Sequence, residues 1–174
     1  MGLTLYRHPS VSARGICYGR SDVRLAPRHA QQIAKALHAA PVARRVIASP
    51  STRCRGLAEA LCQARKLPPP EYDERLLELD FGAWEGRPWT EIPRDESDPW
   101  AEDPIRRAPP GGECFADLQS RVVAALTGLS DVIVVTHAGP IRAAMIAAGT
   151  TDFAGAFSTA IPHAEPIALP SLPL

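Results

Sequence analysis

Four side chains suited to phosphate lie just behind three short apolar runs. Arg7 and His8 follow LTLY at 3–6. Ser49 and Pro50 follow VIA at 46–48, with Arg53 opening the next segment. Thr136, His137 and Gly139 follow VIVV at 132–135. Ligands of open α/β sheets bind outside the carboxyl ends of the strands. If the runs are strands, two histidines and two arginines arrive at one edge. The chemistry that uses this set is phosphoryl transfer. Arginine offers paired, permanently charged donors to phosphoryl oxygens. A neutral imidazole can attack phosphorus and form a phosphohistidine. A second, protonated histidine can neutralise the charge of the transferring group. A metal site would join the histidines with a carboxylate, but the neighbouring guanidinium groups would repel the cation. A nucleotide site wants a Gly-rich loop after the first strand, and RHPSV is not one.

The elements that must position these residues are legible as a pattern. The three runs are short and partly β-branched, as in strands buried on both faces of a parallel sheet. The spacing predicts a helix from Pro27 to about Ala40, with Ile33 and Leu37 on one face. It predicts a second from about Thr52 to Arg65, marked by Leu57 and Leu61. Phe115, Leu118, Val122 and Leu126 form the clearest amphipathic stripe, and Ile141 and Met145 mark a fourth helix. PIAL at 166–169 reads as a last strand bordering the same edge, with His163 before it as a structural or exposed residue. Alternation of strands and helices predicts a three-layer α/β/α sandwich with a mostly parallel central sheet. Six prolines, Trp89 and Trp100 fall between Arg87 and Gly111. This stretch reads as a loop excursion, too proline-rich for a long helix, folded over one end of the sheet to contact substrate.

Composition removes several classes of function. The 174 residues argue for one domain, 1–174, at roughly 150 residues per domain. Hydrophobic residues are 45% and charged residues 22%, which excludes a disordered or fibrous chain. Acidic and basic residues balance at 19 each, without the basic excess of a nucleic-acid binder. No apolar run approaches the roughly 18 residues of a membrane span, and the N-terminus does not resemble a secretory signal. Cys17, Cys54, Cys62 and Cys114 show no CxxC spacing, so free thiols in a reducing cytoplasm are expected.

The residues also resemble a known family. LYRHPSV is similar to the signature of the histidine phosphatase superfamily, also called phosphoglycerate-mutase-like. SPSTRCRGLAEAL, LLELDFGAWEG, PPGGECFADLQSRV and VVTHAGPIRAAM resemble its later segments, in order, so the likeness runs from Leu3 to about Ile146. It implies a phosphoglycerate-mutase-like fold and no metal or organic cofactor. It implies His8 as the nucleophile, with Arg7, Arg53 and His137 binding the phosphoryl group. It implies Glu78 as the general acid that later helps activate water. Asp80 is the rival acid, since positions two apart share a face in an extended segment. The family's Gly after the first histidine is Pro9 here. Its Thr and Asn shortly after are Val11 and Arg14, and the Gly after the second histidine is Ala138. These replacements bear on the finer phosphate contacts.

GICYGRSDVRL at 15–25 resembles the α-ribazole phosphatase branch. That implies hydrolysis of a small phosphorylated metabolite such as α-ribazole 5′-phosphate. Tyr18 and Trp89 are candidates to stack on its base. Phosphoglycerate mutase, protein phosphohistidine phosphatase and a non-catalytic phosphate-binding protein are the alternatives. Whether Trp84, Trp89 and Trp100 line a pocket or an interface stays open at this point.

Overall fold

The computed structural model describes residues 2–172. Its strands are β1 (Gly2–Arg7), β2 (Arg45–Ala48), β3 (Glu71–Tyr72), β4 (Val132–Thr136) and β5 (Pro166–Pro170). They form one sheet in the order β3-β2-β4-β1-β5. The first four run parallel, and β5 pairs antiparallel with β1 at the edge. The helices are α1 (His29–Ala39), α2 (Thr52–Arg65), α3 (Arg94–Glu102), α4 (Phe115–Leu126), α5 (Ala138–Ala147) and α6 (Phe153–Ser158).

The alternation of side chains along the strands builds the layers. Leu3, Leu5, Val132 and Val134 pack in one core with Leu118, Val122, Ile141 and Ala144 of α4 and α5. Tyr6, Val46, Ile133 and Val135 point the other way, toward Ala36 of α1 and Leu57 and Leu61 of α2. Every residue of β4 is buried, as the middle strand of such a sandwich requires. The three-layer architecture read from the sequence is the one observed.

Three local differences have physical reasons. Helix α1 begins at His29, two residues after Pro27, because residues 27 and 28 make a turn ahead of it. Strand β3 has two exposed residues and carries no apolar pattern. The Pro-rich stretch is not loop throughout. It contains the nine-residue helix α3 with Pro99 inside. Pro93 precedes the first turn, and Asp95 and Glu96 lie within it, where carboxylates complement the helix dipole.

That stretch is folded down by aromatic packing. Trp84 is fully buried, and its Nε1 donates to Glu96 Oε2 of α3 at 2.8 Å. Trp100 of α3 lies edge-on to Trp84 at 5.5 Å and nearly parallel to Trp89 at 6.3 Å. Phe81 meets Trp89 at 5.6 Å. Replacing Trp84 with Ala removes both the largest buried ring and the hydrogen bond to α3. Trp84→Ala is expected to lose about 3–5 kcal/mol in chemical denaturation.

Candidate active site

Strand register sets the site. Arg7 pairs with Thr136 and Ala48 with Val135, so His8, Ser49 and His137 leave three neighbouring strands side by side. The ladder continues one step beyond the strands: His8 N donates to Thr136 O and Ser49 N to Val135 O, both at 2.9 Å. The His8 and His137 rings then stand 5.2 Å apart, edge to face.

Each side chain has a definite setting. His8 is 2% exposed, and its Nδ1 donates to the Pro9 carbonyl at 2.7 Å. A carbonyl only accepts, so the proton of the neutral ring is on Nδ1 and the lone pair is on Nε2. Pro9 thus supplies the oxygen that orients the nucleophile candidate. Burial holds the His8 imidazole well below its ordinary range; the Pro9 hydrogen bond opposes this, and Arg53 and Arg7 add to it. His137 is fully buried and held low by burial and by Arg53. Arg7 donates to Ile161 O at 3.0 Å. Arg53 is 1% exposed and donates to the Ser21 and Gly19 carbonyls. Arg7 Nε, Arg53 Nε and His137 Nδ1 are buried without a hydrogen-bond partner among the described residues.

The two candidate acids separate cleanly. Glu78 lines the cleft beside His8 and Arg7. Both its oxygens accept from Gly139 N at 3.2 Å, at the N-terminus of α5, and Oε1 also accepts from Leu79 N at 3.0 Å. Asp80 instead accepts from Gly82 N at 2.8 Å, closing a turn. A Cβ on Gly139 would stand 2.2 Å from Glu78 Oε1, so the carboxylate fits only above a glycine.

Several residues of this setting were not singled out from sequence. Glu85 accepts from Gly19 N, Arg20 N and Ser21 N, from the Ser21 hydroxyl, and from Phe81 N. Burial alone would raise this carboxyl; the Ser21 hydroxyl and the backbone N–H groups hold it below its ordinary value. The same loop offers its Gly19 and Ser21 carbonyls to Arg53. Gly19 lies so close to the Leu79 carbonyl that a Cβ would stand 1.7 Å from it. Behind Glu78, Arg121 pairs with Glu113 and donates to the Leu77 and Glu78 carbonyls. His163, read as structural or exposed, is half-buried. It donates to the His8 carbonyl at 2.8 Å, with its ring 5.3 Å from that of His8. These partners are mostly backbone groups, which leave no side-chain spacing to detect.

A cleft of about 480 Å³ opens onto His8, Arg7 and Glu78. Its walls are largely apolar and include Tyr18, Phe81, Trp89, Trp100, Phe115 and Phe157. Arg142 joins Arg7 there as a second cation. Trp89 therefore lines the cleft, and Tyr18 does so while lying under the Arg53 guanidinium at 5.3 Å. Trp84 lies beneath, in the core. Arg53 and His137 are buried, and the His137 ring stands beside that of His8.

The family model of the histidine phosphatase superfamily, branch 1, matches residues 3–169. The chain belongs to that superfamily. Among solved structures, YhfR from Bacillus stearothermophilus is 28% identical, with a TM-score of 0.78 over 92% of this chain and 86% of that one. The α-ribazole phosphatase from Shigella flexneri has a TM-score of 0.81 over 99% of this chain and 96% of that one. At 21% identity this is a likeness of fold. The bifunctional protein Rv2228c of Mycobacterium tuberculosis is 35% identical over 109 residues, 56% of this chain. The matched stretch spans 29% of that relative's length. Among the described residues, no three His, Cys, Asp or Glu side chains cluster as a metal site. No described helix is long and apolar enough to cross a membrane.

Two consequences can be measured. The unfolded chain protonates His8 and His137 near 6.5, whereas the folded chain keeps both neutral well below that. Below pH 6.5 the unfolded state therefore binds more protons, and stability falls as pH falls. The slope reaches at most about 1.4 kcal/mol per pH unit for each imidazole. Urea midpoints should drop between pH 7 and pH 5, and less steeply in His137→Gln. Gly139→Ala should remain folded by circular dichroism yet lose about a hundredfold in phosphate release, because Glu78 is pushed from its seat.

Proposed function

We propose that this histidine phosphatase hydrolyses phosphomonoesters through a phosphohistidine on His8. The observation that carries this is the neutral His8 ring, its Nδ1 proton spent on Pro9 O, beside a cleft that also holds Glu78. The His8 Nε2 lone pair attacks phosphorus, and the bond from phosphorus to the ester oxygen breaks. Glu78, in its acid form, gives its proton to the departing alcohol oxygen. Water then attacks the phosphohistidine, Glu78 takes the water's proton, and the N–P bond breaks to release phosphate. Arg7, Arg53 and His137 bind the phosphoryl oxygens. Their unpartnered Nε and Nδ1 donors support that role. Fixed donors in a water-poor site need no reorganisation as charge develops.

The apolar, ring-lined walls favour a leaving group with an aromatic face over a small polyanion. A phosphoglycerate carboxylate would find Arg142 for a partner, and Arg142 already donates to the Ala156 and Thr159 carbonyls. The reading therefore extends to a small phosphorylated metabolite of the α-ribazole 5′-phosphate type, with Tyr18 and Trp89 against its base.

The test is steady-state phosphate release in EDTA. The substrates are p-nitrophenyl phosphate, α-ribazole 5′-phosphate, 3-phosphoglycerate and a phosphohistidine peptide. Wild type should turn over, with α-ribazole 5′-phosphate strongest, and vanadate should inhibit. His8→Ala should be inactive, and Glu78→Gln should lose on the order of 10²–10⁴ in kcat. Preference for another substrate would keep the mechanism and remove the α-ribazole reading. Folded protein without release from any substrate would favour a non-catalytic phosphate-binding role.

A further inference from the structure

We propose that Ser49 is a positioning residue that holds His137 as the neutral, Nδ1-protonated imidazole. The second histidine then serves the phosphoryl group as a hydrogen-bond donor and not as a cation. This rests on reading His137 as part of the phosphoryl site.

His137 has no exposed surface, so each ring nitrogen must be satisfied by the protein or by a ligand. Nε2 lies 2.8 Å from Ser49 Oγ. Nδ1 is buried with no hydrogen-bond partner among the described residues. The direction of the Ser49 bond follows from its neighbours. Ser49 Oγ already accepts from Ser51 N at 3.3 Å, so its own hydrogen is the one to place. The nearby Cys54 sulfur is a weak acceptor, while an imidazole nitrogen is a good one. The thiol hydrogen is itself directed to the Thr136 carbonyl at 3.6 Å. Burial pushes that thiol up to about 12, so the hydrogen stays on sulfur. Ser49 therefore donates to Nε2, and the ring's one proton is on Nδ1.

Charge points the same way. Among the described residues, no carboxylate is hydrogen-bonded to His137, and burial, with Arg53, His8, Arg121 and Arg7, disfavours a positive charge on it. A cation there would be buried beside guanidinium groups without a counter-charge, which is costly. In this arrangement the second histidine carries no charge of its own. The positive charge facing the phosphoryl group comes from Arg7 and Arg53. The His137 proton stays on the ring, so proton delivery to the leaving oxygen is left to Glu78.

The test reads the ring directly. Long-range proton–nitrogen correlation spectra at pH 7 report which nitrogen of each imidazole carries hydrogen. The chain has five histidines, and His137→Gln assigns the pair in question. His137 is expected with Nδ1 protonated and Nε2 in the unprotonated range. An Nε2-protonated ring or an imidazolium in the resting protein overturns the proposal. The readout uses the resting protein whatever its turnover, so it fails separately from the phosphatase reading. Ser49→Ala should lose about tenfold in vanadate affinity, and Ser49→Thr, which keeps the hydroxyl, should restore it. Vanadate affinity within twofold of wild type in Ser49→Ala also overturns it.

Discussion

The Glu85 carboxylate is the interaction on which the rest of the site depends. Three successive backbone N–H groups, from Gly19 to Ser21, converge on it, together with the Phe81 N–H from the opposite segment. Gathering the N–H groups on one side turns the Gly19 and Ser21 carbonyls to the other, where they fix the Arg53 guanidinium. An anion is thus placed one layer behind a cation, joined through peptide dipoles and not by a direct ion pair. Arg53 keeps its charge available, and the loop gains its shape. A charge-assisted hydrogen bond contributes more than a neutral one, and here several act on a single short loop.

The same economy holds around Glu78. Its carboxylate is held by backbone donors at the start of α5, while Arg121 and Arg20 bind the Glu78 carbonyl and pair with Glu113. The charges nearest the reacting groups are therefore oriented by peptide groups, and full ion pairs lie one step further out. Burial keeps both imidazoles neutral. Among the described residues, Arg7 Nε and Arg53 Nε are buried donors at this edge of the sheet without a partner.

What was legible in the sequence were the ends of the strands. LTLY, VIA and VIVV mark buried strands by composition, and the residues after them do converge, because parallel register sets their carboxyl ends level. The stripe from Phe115 to Leu126 was equally plain, since its period is helical and its face is buried. Helix α3 was hidden by Pro99, which normally argues against a helix interior. Strand β3 was hidden because Glu71 and Tyr72 are both exposed. The role of Glu85, and the contacts that Ser49 and His163 make, were hidden for a different reason. Their partners are mostly backbone groups, with one serine hydroxyl and one ring nitrogen, and such bonds leave no periodicity in the chain.

Helix α3 has no buried residue of its own and is held down by Trp100 and by the Trp84–Glu96 hydrogen bond. One wall of the cleft is thus a helix without a buried residue, while His8 and His137 are seated in the sheet edge. Segments with few buried apolar contacts open locally at a free energy well below that of global unfolding. The cleft wall and the sheet edge therefore draw on separate reserves of stability. A transient lift of this short helix would widen the cleft while His8, His137, Arg7, Arg53 and Glu78 keep their places.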